Sequence, residues 1–175
     1  MDAEIPPRSH AARTSAVLDA LLPFEAILEG WRASGGTPEP AREWTRRQVR
    51  ALVDIVADDG AWELLLGKVA SGRGQDAWLA LDWPLGFDEL LLCAPLCQLV
   101  SFECARCTIG ARQESYSCAH PSSVFGHVGE LLQRADRDGL VRHLRHVMAL
   151  LDEASTLEWD LAARAPRALR AESGS

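Results

Sequence analysis

The chain has one lysine, Lys68, one tyrosine, Tyr116, and two methionines in 175 residues. Arginine therefore supplies nearly all the positive charge; its planar fork suits bidentate contacts, although a coding bias toward arginine gives the same count. Positive charge is itself in deficit, with 18 Lys and Arg against 25 Asp and Glu and a formal net charge of −7. Such a surface repels nucleic-acid phosphate and anionic lipid, so neither nucleic acid nor a membrane is expected as a partner. A basic protein partner fits the charge, and so does simple solubility. No apolar run approaches the length of about 20 residues that crosses a bilayer as a helix. The opening MDAEIPPRSHAARTS lacks the basic start, apolar middle and small-residue cleavage site of a secretory signal. The expected location is cytoplasmic, where thiols stay reduced.

Catalytic signatures are missing too. The chain contains no Gly-rich phosphate loop, no G-x-S-x-G elbow, no dinucleotide fingerprint and no H-E-x-x-H. Nor does it contain the H-x-E that precedes P-C-x-x-C in zinc deaminases. An enzyme reading has no nucleophile or cofactor motif to stand on, and a non-catalytic protein is expected.

What is present is an ordinary globular composition, 47% apolar and 25% charged, on a chain of single-domain length. The apolar spacing is helical almost throughout. Val17, Leu18, Leu21, Phe24 and Leu28 predict a first helix, kinked at Pro23 and ending near WRASGG. After TPEP, Val49, Leu52, Val53 and Val56 predict a second that stops at DDG. Trp62, Leu65, Leu66 and Val69 predict a third, ended by SGRG, and a short piece around DAWLALDW precedes Pro84. The most apolar stretch, GFDELLLCAPLCQLVSFECARC, is expected to be the central buried helix, kinked or restarted at Pro95. Val124, Phe125, Val128, Leu131 and Leu132 continue the pattern. Leu140, Val141, Leu144, Val147, Met148 and Leu151 close it, with Asp138 as the expected cap. No strand alternation or repeat interrupts this. The expected fold is an all-α, irregular bundle of six to seven helices over residues 14–163, flanked by disordered segments 1–13 and 164–175.

One stretch carries specific chemistry: FECARCTIGARQESYSCAHPSSVFG. Cys104 and Cys107 form a C-x2-C pair, with Gly110 three residues on, and Cys118-x-His120 follows. A C-x2-C turn lets two thiolates converge on one ion, and the glycine lets the backbone bend so that its amides point at sulfur. Cys118 and His120 complete a Cys3His set, which zinc takes in closed, structural sites. In an extended stretch, residues two apart point the same way, so both reach one ion. The expectation is a Zn2+-clamped hairpin between two helices. Cys93 and Cys97 share a helical arc with 104 and 107, but C-x3-C-x6-C-x2-C matches no usual iron–sulfur run. Set among leucines, they read as small core residues, with Cys97 a reserve ligand.

Other candidates are weaker. His143 and His146 lie three apart beside Arg142 and Arg145 and read as a solvated basic face. His127 is an alternative ligand or a packing residue. Inside the hairpin, Arg112, Gln113 and Tyr116 are candidate partner-binding residues, or else, for Arg112 and Gln113, satisfy nearby helix-end carbonyls. Of six tryptophans, most are expected in the core, with Trp44 and Trp83 as contact residues if exposed. The combined expectation is a zinc-stabilised helical protein that binds a protein partner as a regulator, adaptor or toxin-neutralising immunity protein. The alternatives are a metal-dependent enzyme, with His120 as a base, and a thiol or iron–sulfur redox protein.

Overall fold

A computed structural model describes residues 10–22, 24–71, 90–113, 118 and 122–164. The piece around DAWLALDW, with Trp78 and Trp83, lies outside the described residues, as do Tyr116 and His120. Among the described residues there are eight α-helices, two short 3-10 turns and no strand. The all-α expectation holds, with more helices than the six to seven foreseen.

The extra helix comes from the first apolar segment. It divides into α1 (His10–Asp19) and α2 (Phe24–Ala33) rather than kinking. α2 ends in a tight reversal: Gly36 N–H bonds Trp31 O and Gly35 N–H bonds Arg32 O, each at 3.0 Å. The two glycines, Gly35 and Gly36, have positive φ, +98° and +62°, the conformation such a cap requires.

α3 (Pro38–Ala57) starts at Pro38, whose fixed φ and missing N–H suit a first helical position. It buries Ala41, Thr45, Gln48, Val49, Leu52, Ile55 and Val56 at three-and-four spacing. Asp58 then serves two helices. Its N–H closes α3 on Asp54 O, and its carboxylate accepts from Ala61 N at 2.9 Å to open α4 (Asp59–Ser71).

α5 (Leu90–Leu99) carries Pro95 inside it without a restart, and residues 92–97 are all buried. It is not, however, the hub of the bundle. That position belongs to α3, which packs on α1, α2, α4 and α5. α3 also packs on α7 (Arg137–Glu153) and α8 (Thr156–Arg164). The longest helix offers the most face, so amphipathic α3 takes the centre while uniformly apolar α5 is covered beside it.

α6 (Gly126–Gln133) runs into α7 through Ala135, at φ +54°. The cap of α7 is Asp136, not Asp138: its side chain accepts from Gly139 N at 2.8 Å. α8 opens with a capping box in which Ser155 and Glu158 each accept a backbone N–H from the other, at 3.2 and 2.7 Å.

Buried Arg42 ties α3 to the α7–α8 junction, donating to Leu151 O at 2.9 Å and Thr156 Oγ1 at 3.1 Å. Trp159, fully buried, anchors α8, and Trp31 and Trp62 join it in the core. No helix among the described residues is long and apolar enough to cross a membrane.

Candidate functional site

The site begins on α5. Cys93 and Cys97 are one helical turn apart and face the same way, which brings their sulfurs to 3.5 Å. Both are buried. α5 stops at Leu99, so Cys93, Cys97, Cys104 and Cys107 do not lie along one helix. The chain instead reverses over residues 100–103: Phe102 N–H bonds Cys97 O at 2.7 Å and Ser101 N–H bonds Gln98 O at 3.0 Å. Ser101 and Phe102 both have positive φ, +55° and +60°, with no glycine to ease it. Each such residue costs about 1–3 kcal/mol and persists only where its surroundings enforce it.

That reversal brings Cys107 back to the neighbourhood of Cys97 on α5, with Cys104 beside Cys107. The pair sits on a 3-10 turn, Cys104–Arg106, closed by Cys107 N–H on Cys104 O at 3.0 Å. Cys107 is buried and Cys104 half-buried. Burial pushes the Cys107 thiol up to about 11, opposed by the backbone N–H groups of Gly110 and Ile109, which point at its sulfur. Gly110 is needed for the approach: a Cβ there would lie 2.4 Å from Cys104 O.

Cys118 comes from further along the chain. It is buried, and its sulfur is within hydrogen-bonding reach of both Cys93 and Cys97. Those two thiols hold the Cys118 pKa down to about 4, against burial, and Gln113 adds to the effect. The same contacts raise Cys93 and Cys97, led in each case by the bond to Cys118. The three thiols are thus one coupled set, in which hydrogen bonds from Cys93 and Cys97 favour the charged form of Cys118.

The supports around the sulfurs are mostly side-chain to main-chain bonds. Ser123, fully buried, donates to Cys118 O at 2.8 Å and accepts from Gly126 N at 2.9 Å, joining Cys118 to the start of α6. Gln113 Oε1 accepts from Val124 N at 2.7 Å, leaving its buried Nε2 without a nitrogen or oxygen partner and free to face the Cys118 sulfur. Arg112 donates to Thr108 O at 2.9 Å and pairs with Glu158 of α8. Arg106 caps α8 from the same turn, donating to Ala162 O and Ala163 O at 2.9 and 3.1 Å. Arg112 and Gln113 are therefore both engaged within the chain.

Of the residues singled out in the sequence, Cys107 and Cys118 meet at the centre and Cys104 stands at its edge. The Cys3His hairpin as such is not shown, because His120 is outside the described residues. Cys93 and Cys97, read as core residues, are also the inner wall of the thiol centre. Their signal was visible as cysteines at i and i+4, but the reversal that brings other sulfurs to them follows Leu99 without a glycine to announce it. Among the described residues, no group of three or more His, Cys, Asp or Glu is placed so that it could hold a metal ion. All five cysteines are free thiols.

The histidines form a separate group. His127 and His143 stack edge-on with ring centroids 4.8 Å apart, and His143 Nε2 bonds Val124 O at 2.6 Å. Burial holds the His143 pKa below its usual value, so this ring is a half-buried strut between α7 and the start of α6 and not part of a solvated face. An open groove of about 520 Å³ lies away from the cysteines, lined by Ser34, Glu39, Pro40, Glu43, Trp44 and Arg47. Its carboxylates are already paired, Glu39 with Arg42 and Glu43 with Arg50, and Arg47 covers the Trp44 ring.

Compared with known proteins, the chain matches no family model, no curated protein and no solved structure.

Proposed function

We propose that this chain is a non-catalytic, cytoplasmic helical protein that binds a protein partner, and that a soft metal ion, Zn2+, clamps its cysteine-rich segment as a structural element. The observation that carries the reading is the convergence of thiols from three chain segments, α5, the 104–107 turn and Cys118. Three further features support it. Backbone amides point at the Cys107 sulfur, as they do at metal-bound thiolates. The residues around the sulfurs serve as braces, tying turn, loop and α8 together, which is the work of a clamp. The net charge of −7 suits a basic partner, and Leu157 and Leu161 leave apolar side chains 66% and 62% exposed on α8 for contact.

The test is elemental analysis of reduced protein, followed by chelation. The reading expects about one zinc per chain, and loss of helicity or a lower Tm once the metal is stripped. Removal of the metal with no change in either sinks the clamp. A basic partner that comigrates in size-exclusion chromatography at low salt, and separates at high salt, supports the binding half. Failure to recover any partner above background from the native cell opposes it.

A second reading has one specific observation in its favour. Cys118 touches two other thiols, the arrangement from which a disulfide forms on oxidation. A metal-free protein that acquires a Cys118 disulfide under mild oxidation would make it a thiol redox protein instead.

A further inference from the structure

We propose that the metal ligands are Cys93, Cys97, Cys107 and Cys118, an all-thiolate site for a soft tetrahedral d10 cation such as Zn2+, with Cys104 left outside it. This rests on the metal-clamp reading above and changes what the clamp holds.

Four observations select these sulfurs. Cys118 lies against both Cys93 and Cys97, which touch each other, and Cys107 is a charge neighbour of both Cys97 and Cys118. All four are buried to 7% exposure or less, whereas Cys104 is half-buried and adjoins Cys107. Cys107 receives the two amide N–H groups that offset negative charge on sulfur. Finally, the positive-φ pair Ser101 and Phe102 folds the C-x2-C turn back onto α5. Strain of that kind collects where the surroundings gain from it.

The chemistry fits the cation class. Four sulfurs and no oxygen form a soft donor set that zinc accepts in closed structural sites. In the structure no three of these sulfurs are placed to hold an ion, so loading must draw them together: Zn2+ forms four Zn–S bonds, and each sulfur still carrying a proton releases it to buffer. The closed site then joins α5 to the turn at 104–107 and to Cys118. Through Ser123 it also reaches the start of α6. A hairpin set of Cys104, Cys107, Cys118 and His120 would leave α5 out of the clamp altogether.

The experiment uses the full chain, reduced and loaded with one equivalent of Zn2+ or, for a visible signal, Co2+. X-ray absorption of the unmutated zinc protein needs no variant: the all-thiolate site gives four sulfurs at about 2.3 Å, and the hairpin set gives three plus a nitrogen near ~2.0 Å. In the cobalt form, Cys93→Ser and Cys97→Ser are each expected to remove roughly a quarter of the thiolate charge-transfer intensity and weaken binding at least about tenfold. Cys104→Ser and His120→Ala are expected to leave both unchanged. Far-UV circular dichroism of each variant separates lost ligation from lost folding. A mixed sulfur–nitrogen shell, or full intensity in Cys93→Ser and Cys97→Ser with loss in Cys104→Ser or His120→Ala, overturns the ligand set while leaving the clamp standing. Failure of the unmutated chain to take up either metal overturns both.

Discussion

Gly110→Ala tests the thiol turn through its backbone alone, leaving every sulfur in place. The added Cβ would stand 2.4 Å from Cys104 O, about an ångström inside ordinary contact. That oxygen belongs to the main chain and already accepts Cys107 N–H at 3.0 Å, so it cannot swing aside as a flexible side chain would. Overpacking of this kind costs about 1–3 kcal/mol, and losing the Cys107 bond adds about 1 kcal/mol. For a chain of this length the sum corresponds to a fall in Tm of roughly 5–15 °C. The matched control is Gly67→Ala in α4, where a Cβ meets nothing within 4 Å. It should stabilise by about 0.5–1 kcal/mol, since an interior helical glycine carries that entropic cost. Thermal melts followed by circular dichroism, with urea titrations to check that the transition is two-state, read both. A Gly110→Ala protein melting within a degree or so of the unmutated chain, while Gly67→Ala rises as expected, refutes the described turn.

Three further outcomes follow from the packing and the caps. Trp159→Ala empties a fully buried site and should cost about 3–5 kcal/mol in urea unfolding; the indole N–H has no partner, so packing accounts for the loss. Asp136→Ala removes the cap that accepts Gly139 N–H and should cost about 1 kcal/mol, whereas Asp138→Ala should cost less. His143 has a folded pKa below its ordinary 6.5, with burial the leading cause. The unfolded chain therefore binds the proton more readily. The contribution is fully present above about pH 6.5 and is lost as pH falls through the folded pKa. Between about pH 7 and 5 the unmutated protein should lose more stability than His143→Gln does. Equal slopes for the two would remove His143 as the cause.

The sequence was most informative where structure is local. α3 and α7 run close to where apolar spacing put them, because a helix buries residues three and four apart whatever surrounds it. The split between α1 and α2 was half visible at Pro23, and the true cap of α7 was misplaced by two residues, since Asp136 and Asp138 look alike in sequence. Gly110 was legible as a turn residue with amides directed at sulfur, and the structure has both. The roles of Arg112 and Gln113 were not decidable there. Their partners, Glu158 and Val124, lie 46 and 11 residues further along the chain.

For the thiol centre the division is sharper. The sequence alone determined that this is a helical protein, acidic, with five thiols and a C-x2-C turn, because periodicity, charge and spacing are properties of the chain itself. Which sulfurs meet was decided only by the tertiary structure. Two residues without glycine's freedom, Ser101 and Phe102, turn the backbone through positive φ just after α5. Two local bonds close the reversal, from Phe102 N–H to Cys97 O and from Ser101 N–H to Gln98 O. Which sulfurs then meet depends on distant partners: Arg106 and Arg112 brace the segment against α8, Cys107 comes near Cys97, and Cys118 comes to Cys93 and Cys97.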